Sequence, residues 1–186
     1  MRKATQLGLA MFAAAALVAC DTTPREDAAG TPGAAGTAGE ASLADERGFM
    51  EEFAKGNRTE IEVSRLAADR AANPDVRQFA QTLVEDHTKA GEALQRLAGS
   101  HNVTLGAEAT EIDQDLYDRL SKLTGAEFDR EFIEAMIDKH ENGLNTLQDK
   151  ADDAEHAGLK QWATGTASTV RQHLARAKEI QQNLKG

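Results

Sequence analysis

From residue 43 onward, apolar positions return every three or four residues, the period of an amphipathic helix. Phe49, Phe53, Gly56, Val63 and Ala67 follow a capping sequence at 42–45 and predict a first helix over 43–72. Asn73-Pro74-Asp75 stops that helix and starts the next. Asn73 suits an N-cap, Pro74 the first helical position, and Asp75 the positive end of the helix dipole. The second pattern, Val76, Ala80, Leu83, Ala90, Leu94 and Leu97, ends by Gly99. Thr124-Gly-Ala-Glu127 reads as a capping box for a third helix, with Phe128, Phe132, Met136, Leu144 and Leu147 on or beside its inner face. Asp152-Asp153 closes it, and Leu159, Ala163, Val170, Ala177, Ile180 and Leu184 mark a fourth. No alternating β-branched run competes and no proline follows Pro74, so the expected class is all-α.

Helices of about 25–30 residues are about 37–45 Å long, the scale of a four-helix bundle. Between the second and third lie 25 residues, 100–124, including a short amphipathic piece at Ile112, Leu116, Leu120 and Leu123. Antiparallel neighbours in bundles are joined by about two to eight residues. So long a connection predicts a crossover that leaves helices two and three parallel, the ferritin-like connectivity.

The N-terminus has a different pattern. Arg2 and Lys3 precede an apolar stretch from Leu7 to Ala19, too short to span a bilayer, and residues 1–19 read as a secretory signal peptide. Leu17-Val18-Ala19-Cys20 resembles a bacterial lipobox, which makes Cys20 the expected lipidated first residue of the mature chain. Residues 20–42 hold Gly, Pro, Thr and Ala but no large apolar side chain, so a disordered tether is expected there. The folded domain is then 43–186. The expected location is extracytoplasmic, with Cys20 holding the protein to a bacterial membrane, either inner or outer.

Composition narrows the function. A net charge of −10 and only 4% aromatic residues argue against a nucleic-acid partner. One cysteine builds neither a disulfide framework nor a thiolate metal site. No Ser-His-Asp set, phosphate loop or activated nucleophile is visible, so the sequence leans away from an enzyme. Two Asn-x-Thr sequons, at Asn57 and Asn102, are read as chance.

The segments Glu60-Ile61-Glu62, Asn73-Pro74-Asp75-Val76-Arg77-Gln78-Phe79-Ala80, Glu85-Asp86-His87-Thr88-Lys89, Phe128-Asp129-Arg130 and Arg171-Gln172-His173-Leu174 together resemble the bacterial exported domain-of-unknown-function family 4142, over roughly residues 43–182. The resemblance implies a ferritin-like bundle in the cell envelope and carries no established activity.

Each core stripe is interrupted once by an ionisable residue: Glu60, His87, His140 and His173 on helices one to four. Glu60 lies 13 residues before Asn73 and His87 lies 14 after it, so both should stand about 20 Å from that turn. His140 and His173 straddle a turn near residues 154–155 and should pair about 25 Å from it. Both pairs fall near mid-bundle. Three imidazoles and a carboxylate around one point suit a transition-metal ion: zinc, iron, manganese or copper. The Glu-x-x-His repeat of di-iron bundles is missing, because Val84, Ile137 and Val170 occupy the positions three before the histidines. One ion is therefore the expected cofactor.

The alternative is a buried polar network in a non-catalytic envelope interaction module. Gly56, Gly91 and Gly143, one turn from the cluster, make room for a ligand or let helices approach. Asp86, Asp138, His101 and His156 are expected at the surface, and Trp162 in the core.

Overall fold

The Asn73 side chain accepts hydrogen bonds from the backbone N–H of Asp75 (2.8 Å) and Val76 (3.4 Å), capping the helix that Pro74 begins. That cap divides the first two of five helices in the computed structural model, which describes residues 34–185. The helices are α1 (Ala34–Arg70), α2 (Pro74–Ser100), α3 (Gln114–Ser121), α4 (Gly125–Asp153) and α5 (Ala157–Lys185), with one 3₁₀ turn at Ala107–Thr110. No strand occurs among the described residues, and the all-α class holds. No described helix is long and apolar enough to cross a membrane.

Two differences from the periodicity stand out. Helix α1 begins at Ala34, ahead of the first apolar repeat, so residues 34–42 of the expected tether are helical backbone. The expected signal peptide, Cys20 and the rest of the tether lie outside the described residues. Thr124 takes the extended backbone of an N-cap, but its side chain makes no capping bond. Gly125 follows at φ +61°, a left-handed conformation that glycine adopts without strain, and this, not a capping box, shapes the entry to α4.

Three residues join α1 to α2, and another three, Ala154 to His156, join α4 to α5. Each joined pair packs as an antiparallel hairpin, and the hairpins dock through α1 on α4 and α2 on α5. Contacts of α4 with α1 and the turn that follows it descend in order: Asp45 with Lys150, Glu60 with His140, and, in the turn, Ala72 with Asp129. Those between α2 and α5 do likewise: Asp75 with Arg176, Asp86 with His173, and Ala90 with Trp162. All four docked neighbours are thus antiparallel, and α2 and α4 run in the same direction. The connection between them holds α3, whose Leu116 and Leu120 are buried, packed against α1 and α4.

The buried apolar residues form two clusters. One gathers around Phe128, Phe132, Leu83, Met136 and Ile180, the other around Met50, Leu94, Leu147 and Leu159. Along each helix the histidine falls at the division: His87 between Leu83 and Leu94, His140 between Ile137 and Leu147, and His173 between Val170 and Ala177.

Candidate metal centre

Burying an imidazole without a partner is costly, so the placement of each ring nitrogen can be followed in full. His87, His140 and His173 are 5%, 2% and 5% exposed, which leaves no ring free to turn toward water. The Asn57 amide donates to the His87 carbonyl at 2.9 Å, which orients its oxygen toward His87 Nδ1, also at 2.9 Å. That nitrogen must carry the proton. His140 Nδ1 donates to the Met136 carbonyl at 2.8 Å, one turn back on its own helix. His173 Nε2 donates to Asp86 Oδ2 at 3.1 Å, across the α2–α5 seam. A carbonyl can only accept, and Asp86 is ionised, so all three tautomers follow from the partners. Burial pushes the Asp86 carboxyl up, but the hydrogen bonds from His173 and Lys89 outweigh it and hold it below its usual range.

The second nitrogen of each ring then presents a lone pair inward. His87 Nε2, His140 Nε2 and His173 Nδ1 are the atoms left, and the three residues offer ligand atoms all within 4.8 Å of one another. His140 Nε2 and His173 Nδ1 face each other at 3.4 Å. Each ring has one N–H held by a protein acceptor, the kind of partner that orients metal-bound histidines. Burial lowers the His87 pKa to about 4, although Glu60 beside it works in the opposite sense. Burial likewise lowers His173 against the pull of Asp86. Both rings are therefore neutral at pH 7, the form that ligates a metal.

Glu60 joins the cluster from the side of α1. Its Oε2 lies 3.3 Å from His87 Nε2 and 3.3 Å from His140 Nδ1. With His87 neutral and protonated on Nδ1, the contact with Nε2 opposes two acceptors. Both atoms are buried without a hydrogen-bond partner. The structure thus brings all four expected residues to one height, with the histidines as the inner set and Glu60 at their edge.

Asn57 and Asp86 escaped the reading from sequence. Asn57 is buried, in contact with His87, and its sequon lies on an inward face. Its signal was position: it stands three residues before Glu60, one turn away on the same inner side. Asp86, expected in solvent, instead holds His173, because a residue beside the core stripe of α2 points into the seam with α5. Asp138 is exposed as expected.

His101 and His156, expected at the surface, meet at the far end of the hairpins with ring centroids 4.4 Å apart. His156 Nδ1 bonds Glu46, which is only 3% exposed and also accepts from the backbone N–H of Glu155 (2.7 Å) and His156 (3.1 Å). Burial raises the Glu46 carboxyl, but these hydrogen bonds prevail and hold it below its usual range. Trp162 is half-buried, its ring edge-on to Phe53 with centroids 4.8 Å apart.

The glycines divide. A Cβ on Gly91 would lie 2.8 Å from the Asn57 amide nitrogen, so Gly91 permits a close approach, whereas Cβ atoms on Gly56 and Gly143 would meet nothing within 4 Å. Two cavities reach the cluster from opposite seams. One of about 730 Å³ between α1 and α4 ends on Glu60, His87 and His140. The other, of about 340 Å³ between α2 and α5, ends on Asp86, His87 and His173.

A family model described as Domain of unknown function (DUF4142) matches residues 31–180. No curated protein and no solved structure matches the chain.

Proposed function

The chain belongs to the DUF4142 family, and we propose that it is a ferritin-like four-helix bundle that binds one divalent transition-metal ion through His87, His140 and His173, with Glu60 beside them. The observation that carries this reading is the tautomer set: three protein acceptors take one proton from each ring and leave one lone pair on each of three histidines that offer ligand atoms within 4.8 Å of one another. Lone pairs in that arrangement repel unless a cation lies between them. Ligand nitrogens on one tetrahedral ion stand about 3.3 Å apart, close to the 3.4 Å already between His140 Nε2 and His173 Nδ1, so only the wider separations need to close. Glu60 supplies the fourth donor or holds a water in that position. Imidazole and carboxylate suit zinc, iron, manganese and copper alike, and availability decides among them.

The reading places this head outside the cytoplasm, tied to a membrane by a lipidated Cys20. A Cys20→Ser chain is expected to leave the membrane fraction and to take up no palmitate. Binding, and not turnover, is the role proposed.

Elemental analysis of the full chain, purified without a histidine tag, is expected to find about one ion per chain. Adding Zn²⁺ or Mn²⁺ at 100 times its Kd should stabilise the protein by about 2.7 kcal/mol, by mass action. The His87→Ala/His140→Ala chain should show neither effect. A second reading, a metal-free polar network in an interaction module, is favoured by the protein partners already on every outer nitrogen. It expects no bound metal and no shift in melting temperature with any of these ions.

A further inference from the structure

Gly48, Gly56 and Gly143 all lie inside helices and line the α1–α4 groove. A glycine within a helix lowers its stability relative to alanine, so packing normally supplies the reason for it. It does at Gly91, and at Gly158, where a Cβ would lie 2.9 Å from Leu97. At Gly48, Gly56 and Gly143 a Cβ meets no atom within 4 Å. All three face open space in a groove of about 730 Å³, a volume within the ordinary range of small-molecule sites.

The groove has a direction. From Gly48 to Glu60 it follows twelve residues of α1, about 18 Å. Phe49, Phe53, Leu147 and Val170 give it apolar walls. The ammonium groups of the two lysines that line it are taken up by carboxylates, Lys150 by Asp45 near the Gly48 end and Lys139 by Asp113 beside His140. At its inner end stand two buried atoms without partners, Glu60 Oε2 and His87 Nε2. A corridor with Phe49 and Phe53 on its wall, polar Glu52, Asn142 and Thr146 along it, and unpartnered acceptors beside the histidine cluster at its end fits a molecule with an apolar body and one polar end.

We propose that this groove binds an elongated, uncharged organic molecule whose apolar body lies along Phe49 and Phe53 and whose terminal nitrogen or oxygen donor ligates the ion held by the three histidines. The donor end rests on the metal reading above; the body site does not.

The full chain loaded with Co²⁺ is titrated with 1-methyl-, 1-butyl- and 1-hexylimidazole. Binding is followed by the cobalt d–d absorption and by the fluorescence of Trp162, the one tryptophan, whose ring packs on Phe53. Affinity is expected to rise about three- to fourfold per methylene, the value of moving a CH₂ from water into an apolar site. Gly56→Leu, and Gly143→Leu from the opposite wall, should abolish that rise while Co²⁺ still loads. A flat series, or one unchanged in both variants, overturns the groove even though the cobalt spectrum still supports the metal centre. If no Co²⁺ binds, the metal reading fails. The body site is then decided on the metal-free chain: saturable quenching of Trp162 by 1-hexylimidazole that Gly56→Leu removes supports it, and its absence overturns it.

Discussion

Replacing each of three glycines by alanine should give opposite signs according to what the new methyl meets. Alanine is favoured over glycine by about 0.8–1.0 kcal/mol within a helix. At Gly56 and Gly143 nothing lies within 4 Å of the added Cβ, so that gain should appear almost whole. The two positions lie on α1 and α4, and the double variant should gain about 2 kcal/mol, or about 4–8 °C for a domain of this size. At Gly91 the methyl would stand 2.8 Å from the Asn57 amide nitrogen. That amide is held by two buried hydrogen bonds, to the carbonyl and to the ring of His87, so moving it away from the methyl breaks at least one of them. Leaving one of those groups unsatisfied costs about 1–3 kcal/mol. The helix gain of about 1 kcal/mol is then offset or exceeded, for a net loss of up to about 2 kcal/mol. Calorimetric melting of the metal-free chains measures all three without interference from ligation. Gly91→Ala stabilised as much as the other two would show that Asn57 is not fixed against His87. Loss of stability in Gly56→Ala would show that α1 and α4 close against each other there, and that the open groove is wrong.

Three further outcomes follow from the hydrogen bonds around the site and at its ends. Asn57→Leu deprives His87 Nδ1 of its acceptor and should weaken metal binding about 10- to 100-fold by calorimetric titration, the usual effect of losing a residue that orients a ligand. An unchanged Kd would refute its orienting role. Asp129, which is 2% exposed, accepts from the backbone N–H of Ala72 (3.0 Å) and Asn73 (2.8 Å). Asp129→Ala should lower the urea-derived stability by about 3 kcal/mol, two charged hydrogen bonds at about 1.5 kcal/mol or more each, and a loss under about 0.5 kcal/mol would contradict that count. The lowered pKa of Glu46 means that the unfolded chain binds its proton first as pH falls. Its contribution is complete above the ordinary carboxyl pKa of 4.5 and is lost as pH falls through the lower folded value. The Glu46→Gln chain should be less stable at pH 7 and should lose less stability than the parent on acidification below 4.5; parallel urea midpoints would refute this.

Much of the site was legible because helices convert counting into height. Residues 13 before and 14 after one turn, and two others straddling a second, had to meet if the hairpins formed, and the four side chains do converge. Periodicity also marked which face each ring occupies. It is blind to the seams. Asp86 is one residue off the stripe of α2, and only the neighbouring α5 turns that direction into contact with His173. Glu46 finds His156 from 110 positions away, at a hairpin end where no repeat exists to count. Thr124 had the right letters for a cap, but the left-handed Gly125 carries the chain into the helix by another path.

Asp129 on α4 holds the turn between α1 and α2, and Glu46 on α1 holds the turn between α4 and α5. Each hairpin therefore closes the other's bend, from opposite ends of the α1–α4 seam. Sliding the hairpins past each other by one helical turn, about 5.4 Å, would pull both carboxylates away from four backbone N–H groups at once. The pair acts as two end stops that fix the axial register of the docked halves. Glu60 lies 14 residues from Glu46 and 12 from Ala72, so it is registered from both ends and not by its own weak contacts. The imidazoles can meet at one height only, and that height is set about 20 Å away from them.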